Sequence, residues 1–248
     1  MGKDEDEMKI TIMENERKFD EKAAWEIIGQ MLTKPDSVIG FSTGQTTGNM
    51  HAIVSEIYKM HPFDTSKLTI FNVDELVGLP RSYVGSCYSM IKQQICIPLE
   101  IPEEHFIMPR TMDVDFQKEC VWFEEEIKKR GGADLQMLGI GWNGHIGINQ
   151  PGTPFGSDTQ ITQMDERFEK KVRKETQVSA DCQLGGLTLG IKTIMHTKRI
   201  VLIAKGAEKA QIIRQAVKGA VTEAVPASVL QLHPNCEVLL DAQAAAYL

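Results

Sequence analysis

Asp74 stands where a catalytic carboxylate could work. It follows residues 67–73, an apolar run with the composition of a buried strand. A carboxyl group at the mouth of such a strand loses part of its hydration, which raises its pKa and suits it to remove a proton from carbon. The alternative is that Asp74 and Glu75 form a solvated pair that caps the next segment, and the sequence alone leaves both interpretations open.

His145 is the second candidate for proton transfer. The chain has six histidines, and this one lies in a glycine-rich segment after a predicted central strand. Imidazole is the side chain whose ordinary pKa lies nearest neutral pH, so the position favours acid–base chemistry over the more common structural role. The glycines would let the chain turn sharply and present Asn143 and His145 at the sheet edge. His233 has no such neighbourhood and is expected to be structural.

Residues 42–48, Ser-Thr-Gly-Gln-Thr-Thr-Gly, join a predicted strand to a predicted helix. Backbone amides and hydroxyls at such a junction can point at a phosphate, with Gly44, Gln45 and Thr46 as the contacts. An ordinary tight turn with a helix cap is the alternative. The Gly-x-Ser-x-Gly pattern around Ser42 is typical of hydrolase nucleophiles, but too few strands can precede it here. A phosphate site is therefore the favoured interpretation.

Residues 139–144 match the Gly-x-Gly-x-x-Gly pattern of dinucleotide-binding proteins. The residues that follow, 145–151, lack the character of a helix whose N-terminus would hold a pyrophosphate, so we expect no nicotinamide cofactor. The five cysteines match neither the spacing of metal ligands nor a disulfide framework. No metal site is therefore predicted.

The elements that must position these residues alternate along the chain. Apolar runs without proline predict buried parallel strands at 36–43, 67–73, 134–140, 199–204 and 236–240. Amphipathic stretches long enough for crossover helices lie at 49–60, 116–129 and 208–218. This alternation predicts a single domain, 1–248, with one α/β sheet covered on both faces. Residues 150–186 break the rhythm and are expected to form a lid-like insert, with a surface excursion of no role as the alternative.

Ligands of open α/β sheets bind beyond the carboxyl ends of the strands. The loops predicted at that edge are 43–48, 74–85, 141–151 and 205–209. They would bring Asp74 and His145 together with Lys209, whose ammonium group and helix N-terminus could both face a phosphate.

The overall charge excludes some partners. The chain has 27 basic and 34 acidic residues, a net charge of −7, so broad electrostatic capture of nucleic acid or of an anionic membrane is not expected. No apolar run approaches the roughly 18 residues that span a bilayer, and scattered thiols suit a reducing compartment. We therefore expect a cytoplasmic protein.

Four segments carry motifs that together resemble the glucosamine-6-phosphate deaminase/isomerase family. They read Ser-Thr-Gly-Gln-Thr-Thr (42–47), Phe-Asn-Val-Asp-Glu-Leu-Val-Gly-Leu (71–79), Gly-Ile-Gly-Trp-Asn-Gly-His-Ile-Gly-Ile-Asn-Gln-Pro (139–151) and Gln-Leu-His-Pro (231–234). The resemblance covers nearly the whole chain in order. Within the family, residues 138–145, 186–192 and 225–230 are most similar to the galactosamine-6-phosphate branch.

The resemblance implies a doubly wound, Rossmann-like α/β fold, with a mostly parallel sheet and helices on both faces. It also implies a cofactor-free reaction in which an amino-sugar 6-phosphate, here galactosamine 6-phosphate, is opened, isomerised and hydrolysed to a ketose 6-phosphate and ammonia. Asp74 matches the family's base, and His145 matches the group that opens the ring. The matching phosphate-binding positions are Gly44, Gln45, Thr46, Arg173 and Lys209.

Two departures from the family pattern affect His145. Asn143 stands where the glucosamine branch has Asp, and Gln150 stands where the family has Glu. Neither amide carries a negative charge, so we expect His145 to titrate lower and to be a weaker base. Gln160 and Thr162 replace two basic residues of the allosterically activated members, which predicts that this activation is absent.

The sequence leaves two other functions open. A sugar-phosphate-binding protein without turnover would also fit the neutral pair Asn143 and Gln150, and a 6-phosphogluconolactonase would share the fold. The preferred C4 epimer and the oligomeric state are not determined by these motifs.

Overall fold

Seven parallel strands form the central sheet of the computed structural model, which describes residues 8–44 and 46–248. The strands of this part of the chain are β1 (Lys9–Met13), β2 (Val38–Phe41), β3 (Thr69–Asn72), β4 (Asp74–Val77), β5 (Phe106–Ile107), β6 (Leu135–Gly139), β7 (Gln160–Thr162), β8 (Gly185–Thr188), β9 (Ile200–Ala204) and β10 (Cys236–Asp241). The order in the central sheet is β1-β10-β9-β6-β2-β3-β5. The five predicted strands are β2, β3, β6, β9 and β10, so the mostly parallel α/β architecture is confirmed.

Helices cover both faces of this sheet. They are α1 (Glu16–Thr33), α2 (Gly48–Met60), α3 (Cys87–Ile91), α4 (Phe116–Lys129), α5 (Glu166–Thr176), α6 (Ile191–Met195) and α7 (Ala210–Lys218). The three predicted crossover helices are α2, α4 and α7. Shorter helical turns lie at Lys92–Cys96, Glu103–His105, Ala207–Lys209 and Pro226–Leu232.

Strand β3 shows how one sheet supports two cores, because successive side chains of a strand point to opposite faces. Ile70 packs in a cluster with Phe19 of α1 and Met50 of α2. The next residue, Phe71, packs in the other cluster against Phe123 of α4, with the two ring centroids 6.2 Å apart. Burial on both faces explains why the strand sequences read as continuous apolar runs.

The chain changes direction across the sheet between β2 and β6. From β2 it proceeds to β3 and β5 on one side, and from β6 it proceeds to β9 and β10 on the other. The loops that leave these two neighbouring strands therefore diverge. A crevice at the carboxyl ends of such strands is where ligands bind in open α/β sheets.

A second, antiparallel sheet departs from the prediction of a single sheet. It has the order β4-β8-β7, and the pairing runs from Asp74 opposite Thr188 to Val77 opposite Gly185. Residues 74–77 were expected to lie in a loop. Four residues are too short for a periodic signal, and their partner strand lies more than a hundred positions away, so only the tertiary fold reveals this pairing. Two edge strands of the central sheet, β1 and β5, were also missed.

The expected lid-like region, 150–186, contains β7, α5 and the first residues of β8. Within it, α5 occupies Glu166–Thr176, and Asp165 is the cap whose side chain accepts from the Phe168 amide. Across 8–44 and 46–248, none of the helices has the length and apolar character needed to cross a bilayer.

Two glycines make a matched test of this packing. A methyl group at Gly40, on β2, would collide with Phe71 and Gln136, whereas one at Gly29, inside α1, would meet nothing within 4 Å. We expect Gly40→Ala to lower the free energy of unfolding by about 1–3 kcal/mol through overpacking. Gly29→Ala should raise it by about 0.5–1 kcal/mol because alanine favours the helix. Denaturant titration measures both, and equal effects would contradict the packing described.

Candidate active site

A cleft of about 880 Å³ lies at the carboxyl ends of the strands on either side of the β2–β6 junction. Side chains from the predicted loops and from α5 line it. Five of the residues singled out in the sequence line this cleft together: Gly44, Thr46, Asp74, His145 and Lys209. The prediction that these loops converge at one sheet edge is therefore confirmed.

Asp74 is partly buried and borders the cleft. The side-chain amide of Asn72 donates to Asp74 Oδ1 at 3.1 Å and to the Asp74 carbonyl oxygen at 2.8 Å. Burial, followed by the charge of Glu75, raises the pKa of Asp74 to about 7, and no Lys or Arg of the described residues counters this rise. A carboxyl group with such a pKa can take up and release a proton near neutral pH.

Glu75 is buried and has a different environment from Asp74. Its carboxylate accepts from the backbone amides of Leu76 at 2.7 Å, Cys87 at 2.9 Å and Tyr88 at 2.7 Å. These bonds hold the first turn of α3 against β4. The alternative of a solvated pair is therefore wrong: Glu75 does cap the next helix, but as a buried group. No backbone amide of the described residues donates to the neighbouring Asp74 carboxyl group.

Two amides orient His145. Its Nδ1 lies 2.8 Å from Asn143 Oδ1, which also accepts from the His145 backbone amide at 3.2 Å. Asn143 in turn donates from Nδ2 to Gln150 Oε1 at 2.9 Å. Because an amide oxygen can only accept, this arrangement assigns the proton of the neutral imidazole to Nδ1 and leaves Nε2 as an acceptor. Gln150 Nε2 is buried and has no hydrogen-bond partner among the described residues.

The imidazole of His145 is neutral at physiological pH. Burial, and next the charge of Lys209, lower its pKa to about 4, while Asp165 acts in the opposite direction. The lowered pKa of His145 agrees in direction with the prediction made from the neutral side chains of Asn143 and Gln150, although burial is the largest cause. The Phe168 ring of α5 packs on the imidazole, with centroids 4.9 Å apart.

The glycines of residues 139–144 leave room for the His145 ring and allow the turn that carries it. A Cβ atom at Gly141 would occupy the position of the His145 ring, and one at Gly144, where φ is +87°, would collide with Val225. No helix begins directly after this motif in the described chain, because residues 145–150 form turns and isolated bridges. The interpretation of the glycines as a turn that presents His145 is confirmed.

Among the described residues four cations line the cleft, and one of them, Lys205, is paired with Glu16 and Asp20. Lys209 donates from Nζ to the Ile140 carbonyl at 2.7 Å, and burial, with a smaller contribution from Lys171, lowers its pKa to about 8. Arg167 and Lys171 both line the cleft from α5, and the Arg167 guanidinium lies 4.4 Å from the centroid of the Trp142 ring. Together with the small residues of the 42–48 loop, they make one side of the cleft suited to a phosphate group.

Arg173 is not brought to the cleft. Its guanidinium donates to Glu169 Oε1 and to the carbonyl oxygens of Ser179 and Cys182, both at 2.7 Å. The cause is helix geometry. Residues four apart on a helix share a face, so Arg167 and Lys171 both face the cleft, whereas Arg173 lies two residues after Lys171 and on another face. The sequence signal for Arg167 and Lys171 was their spacing of four residues, which places both on one face of a helix. Gln45 lies outside the described residues, so its contact with a phosphate stays a prediction.

Comparison with known proteins now identifies the family. Residues 21–239 match the family described as glucosamine-6-phosphate isomerases/6-phosphogluconolactonase. The chain belongs to this family. A glucosamine-6-phosphate deaminase of Clostridium botulinum (strain Loch Maree / Type A3) is 36% identical over 241 residues, which cover 97% of this chain and 99% of the relative. One from Alkaliphilus oremlandii (strain OhILAs) is 35% identical, with coverages of 97% and 100%.

Solved structures of related proteins agree with the fold. A monomeric glucosamine-6-phosphate deaminase superposes with a TM-score of 0.93 at 29% identity, covering 97% of this chain and 100% of that one. A 6-phosphogluconolactonase from Trypanosoma cruzi gives a TM-score of 0.79 at 19% identity, covering 99% and 98%. The second likeness shows the shared fold alone.

The amide chain that orients His145 can be tested by adding the missing charge. Gln150→Glu places a carboxylate next to Asn143, and we expect it to raise the pKa of His145 by about one pH unit or more, because a nearby anion favours the imidazolium form. Gln117→Glu, an exposed change of equal charge on α4, is the control. Nitrogen-15 NMR titration of the imidazole measures the shift. An unchanged midpoint in Gln150→Glu would contradict the coupling.

Proposed function

We propose that the protein converts an amino-sugar 6-phosphate, with galactosamine 6-phosphate preferred, into a ketose 6-phosphate and ammonia. The observation that carries the proposal is Asp74: a partly buried carboxyl group whose pKa is raised to about 7, in a cleft that also holds a neutral imidazole and several cations. This combination fits proton abstraction beside a carbonyl followed by proton return.

His145 acts first in the proposed sequence. Opening a pyranose ring requires removal of the proton of the O1 hydroxyl and delivery of a proton to the ring oxygen. The Nε2 acceptor of the neutral imidazole can take the first proton and supply the second. Burial makes this imidazole a weak base. Sugar rings also open without help, so we assign His145 a smaller share of the rate than Asp74.

Asp74 carries the isomerisation. Its carboxylate removes the proton from C2 of the open amino aldose while O1 takes up a proton, which gives an enol-amine. The same carboxyl group then returns a proton to C1 while the amine nitrogen releases one. The product is an imine at C2. Water adds to that carbon, and ammonia leaves as the C2 carbonyl forms. The balance is one amino-sugar phosphate and one water to one ketose phosphate and one ammonia.

The phosphate is assigned to the side of the cleft that holds the 42–48 loop, Lys209 and the cations of α5. A dianion there gains amide and hydroxyl donors from the loop at the start of α2 and charge from Arg167 and Lys171. These two residues take the place that the family resemblance gave to Arg173, whose hydrogen bonds lie elsewhere.

Galactosamine 6-phosphate is the proposed substrate because residues 138–145, 186–192 and 225–230 are most similar to the galactosamine branch. The relatives described above are named for glucosamine 6-phosphate, so this preference is the finer part of the proposal. A 6-phosphogluconolactonase is disfavoured, since lactone hydrolysis needs no base at C2 and the likeness to those enzymes is at the level of fold. A binding protein without turnover is disfavoured by the raised pKa of Asp74.

The activity assay uses both amino-sugar 6-phosphates and measures ammonia and ketose phosphate. We expect turnover, faster with galactosamine 6-phosphate, and a loss of roughly 10²- to 10⁴-fold in kcat for Asp74→Asn, the size of a general-base contribution. Asp113→Asn is the matched control, because Asp113 is exposed and its φ of 55° suits asparagine equally well. Binding without turnover, or hydrolysis of 6-phosphogluconolactone alone, would contradict the proposal.

The assignment of the phosphate-binding cations has its own test. Arg167→Ala and Lys171→Ala should each raise KM for the sugar phosphate by about 5- to 100-fold with a smaller effect on kcat, because a charged hydrogen bond to substrate is lost. Lys174→Ala, an exposed change on the same helix, should leave KM unchanged. Steady-state kinetics measure the split. Equal KM values in all three variants would exclude the assignment.

A further inference from the structure

Cys87 borders the cleft next to Asp74 and has no role in the chemistry described so far. It is the first residue of α3, is 4% exposed, and lines the cleft. Its Sγ lies 3.7 Å from Asp74 Oδ1 and accepts a hydrogen bond from Thr43 Oγ1 at 3.2 Å. The thiol therefore bridges the loop after β2 and the carboxyl group at the start of β4.

The backbone fixes this thiol in place. Glu75 accepts from the amides of Cys87 and Tyr88, and Ser86 caps α3 by accepting from the Ser89 amide at 3.0 Å. Because Glu75 adjoins Asp74 in sequence, its hydrogen bonds set the separation between the thiol and the Asp74 carboxyl group. A small rotation of α3 would break both contacts together.

The thiol is a donor throughout the working pH range. Burial, and then the charges of Glu75 and Asp74, raise the pKa of the Cys87 thiol well above its ordinary value. An S–H group therefore faces Asp74. Asn72 Nδ2 donates to the same oxygen, Oδ1, so both donors lie on one side of the carboxyl group. No described residue donates to Asp74 Oδ2, so this oxygen is left to accept a proton from substrate.

We propose that Cys87 is a positioning residue whose S–H group, hydrogen-bonded to Oδ1, orients the Asp74 carboxyl group and favours its ionised form. This inference rests on the proposed function for its catalytic consequence, though the hydrogen bond itself does not. The groups that face or border Asp74 are Asn72 of β3, Glu75 of β4 and Cys87 of α3, with His145 and Lys209 in the same cleft.

The test removes the donor and then restores it. Cys87→Ala deletes the hydrogen bond, which stabilises the carboxylate, so the acidic limb of the kcat/KM profile should move to higher pH by roughly half to one pH unit. Below that limb, kcat/KM should fall by about 3- to 10-fold, and above it the activity should recover. Cys87→Ser keeps a hydroxyl donor and should have its limb near that of the unsubstituted protein.

Cys120→Ala is the matched control, because Cys120 is a buried thiol of α4 that packs in the core away from the cleft. It should lower stability without moving the limb. An unmoved limb in Cys87→Ala would overturn the proposal. A shift in Cys87→Ser as large as that in Cys87→Ala would also overturn it, since the effect would then follow from the shape of the side chain.

A second readout does not depend on turnover. Carbon-13 NMR of aspartate-labelled protein follows the carboxyl resonance of Asp74, identified by its absence in Asp74→Asn. Its midpoint should rise in Cys87→Ala and stay near the unsubstituted value in Cys87→Ser and Cys120→Ala. If these shifts are seen but the protein turns over neither amino-sugar 6-phosphate, the hydrogen bond is supported and the proposed function is contradicted. Identical midpoints in all variants would overturn the inference.

Discussion

A partly buried carboxyl group, to which no cation of the described residues is paired, is the constraint around which the cleft is built. Asp74 experiences burial and the charge of Glu75, both of which disfavour ionisation. Asn72 and Cys87 offset part of that cost by donating to one oxygen. The Glu75 carboxylate accepts hydrogen bonds from three backbone amides and thereby anchors α3. The raised pKa of Asp74 therefore depends on how β3, β4 and α3 pack around its carboxyl group.

The direction change between β2 and β6 explains why such distant residues meet. The loops that diverge there supply the small residues of segment 42–48 and the turn that carries His145, while the loop after β9 supplies Lys209. The small antiparallel sheet also holds Asp74 in place, because β8 pairs with β4 and Asp74 lies opposite Thr188 in that pairing. The amides at Asn143 and Gln150 orient the imidazole without charge, which leaves Asp74 as the stronger base of the two.

Much of this arrangement was predictable from sequence because it depends on local patterns. Buried strands read as apolar runs, and glycines that make room for His145 stand in a recognisable motif. The β4–β8 pairing was not predictable, since it joins four residues to a partner more than a hundred positions away. The contact between Cys87 and Asp74 has no sequence signal, because it depends on how Glu75 anchors α3. Arg173 was misplaced because motif alignment does not say which face of α5 a residue occupies.

The most direct test of the account follows the hydrogen at C2 of the substrate. Galactosamine 6-phosphate carrying deuterium at C2 is incubated with the protein, and removal of the deuterium from C2, whether it goes to water or to C1, is followed by deuterium NMR. The account predicts that the unsubstituted protein removes the label as ammonia is released and that Asp74→Asn, at equal protein and saturating sugar, removes it roughly 10²- to 10⁴-fold more slowly. Removal of the label by Asp74→Asn at the unsubstituted rate would contradict the central claim.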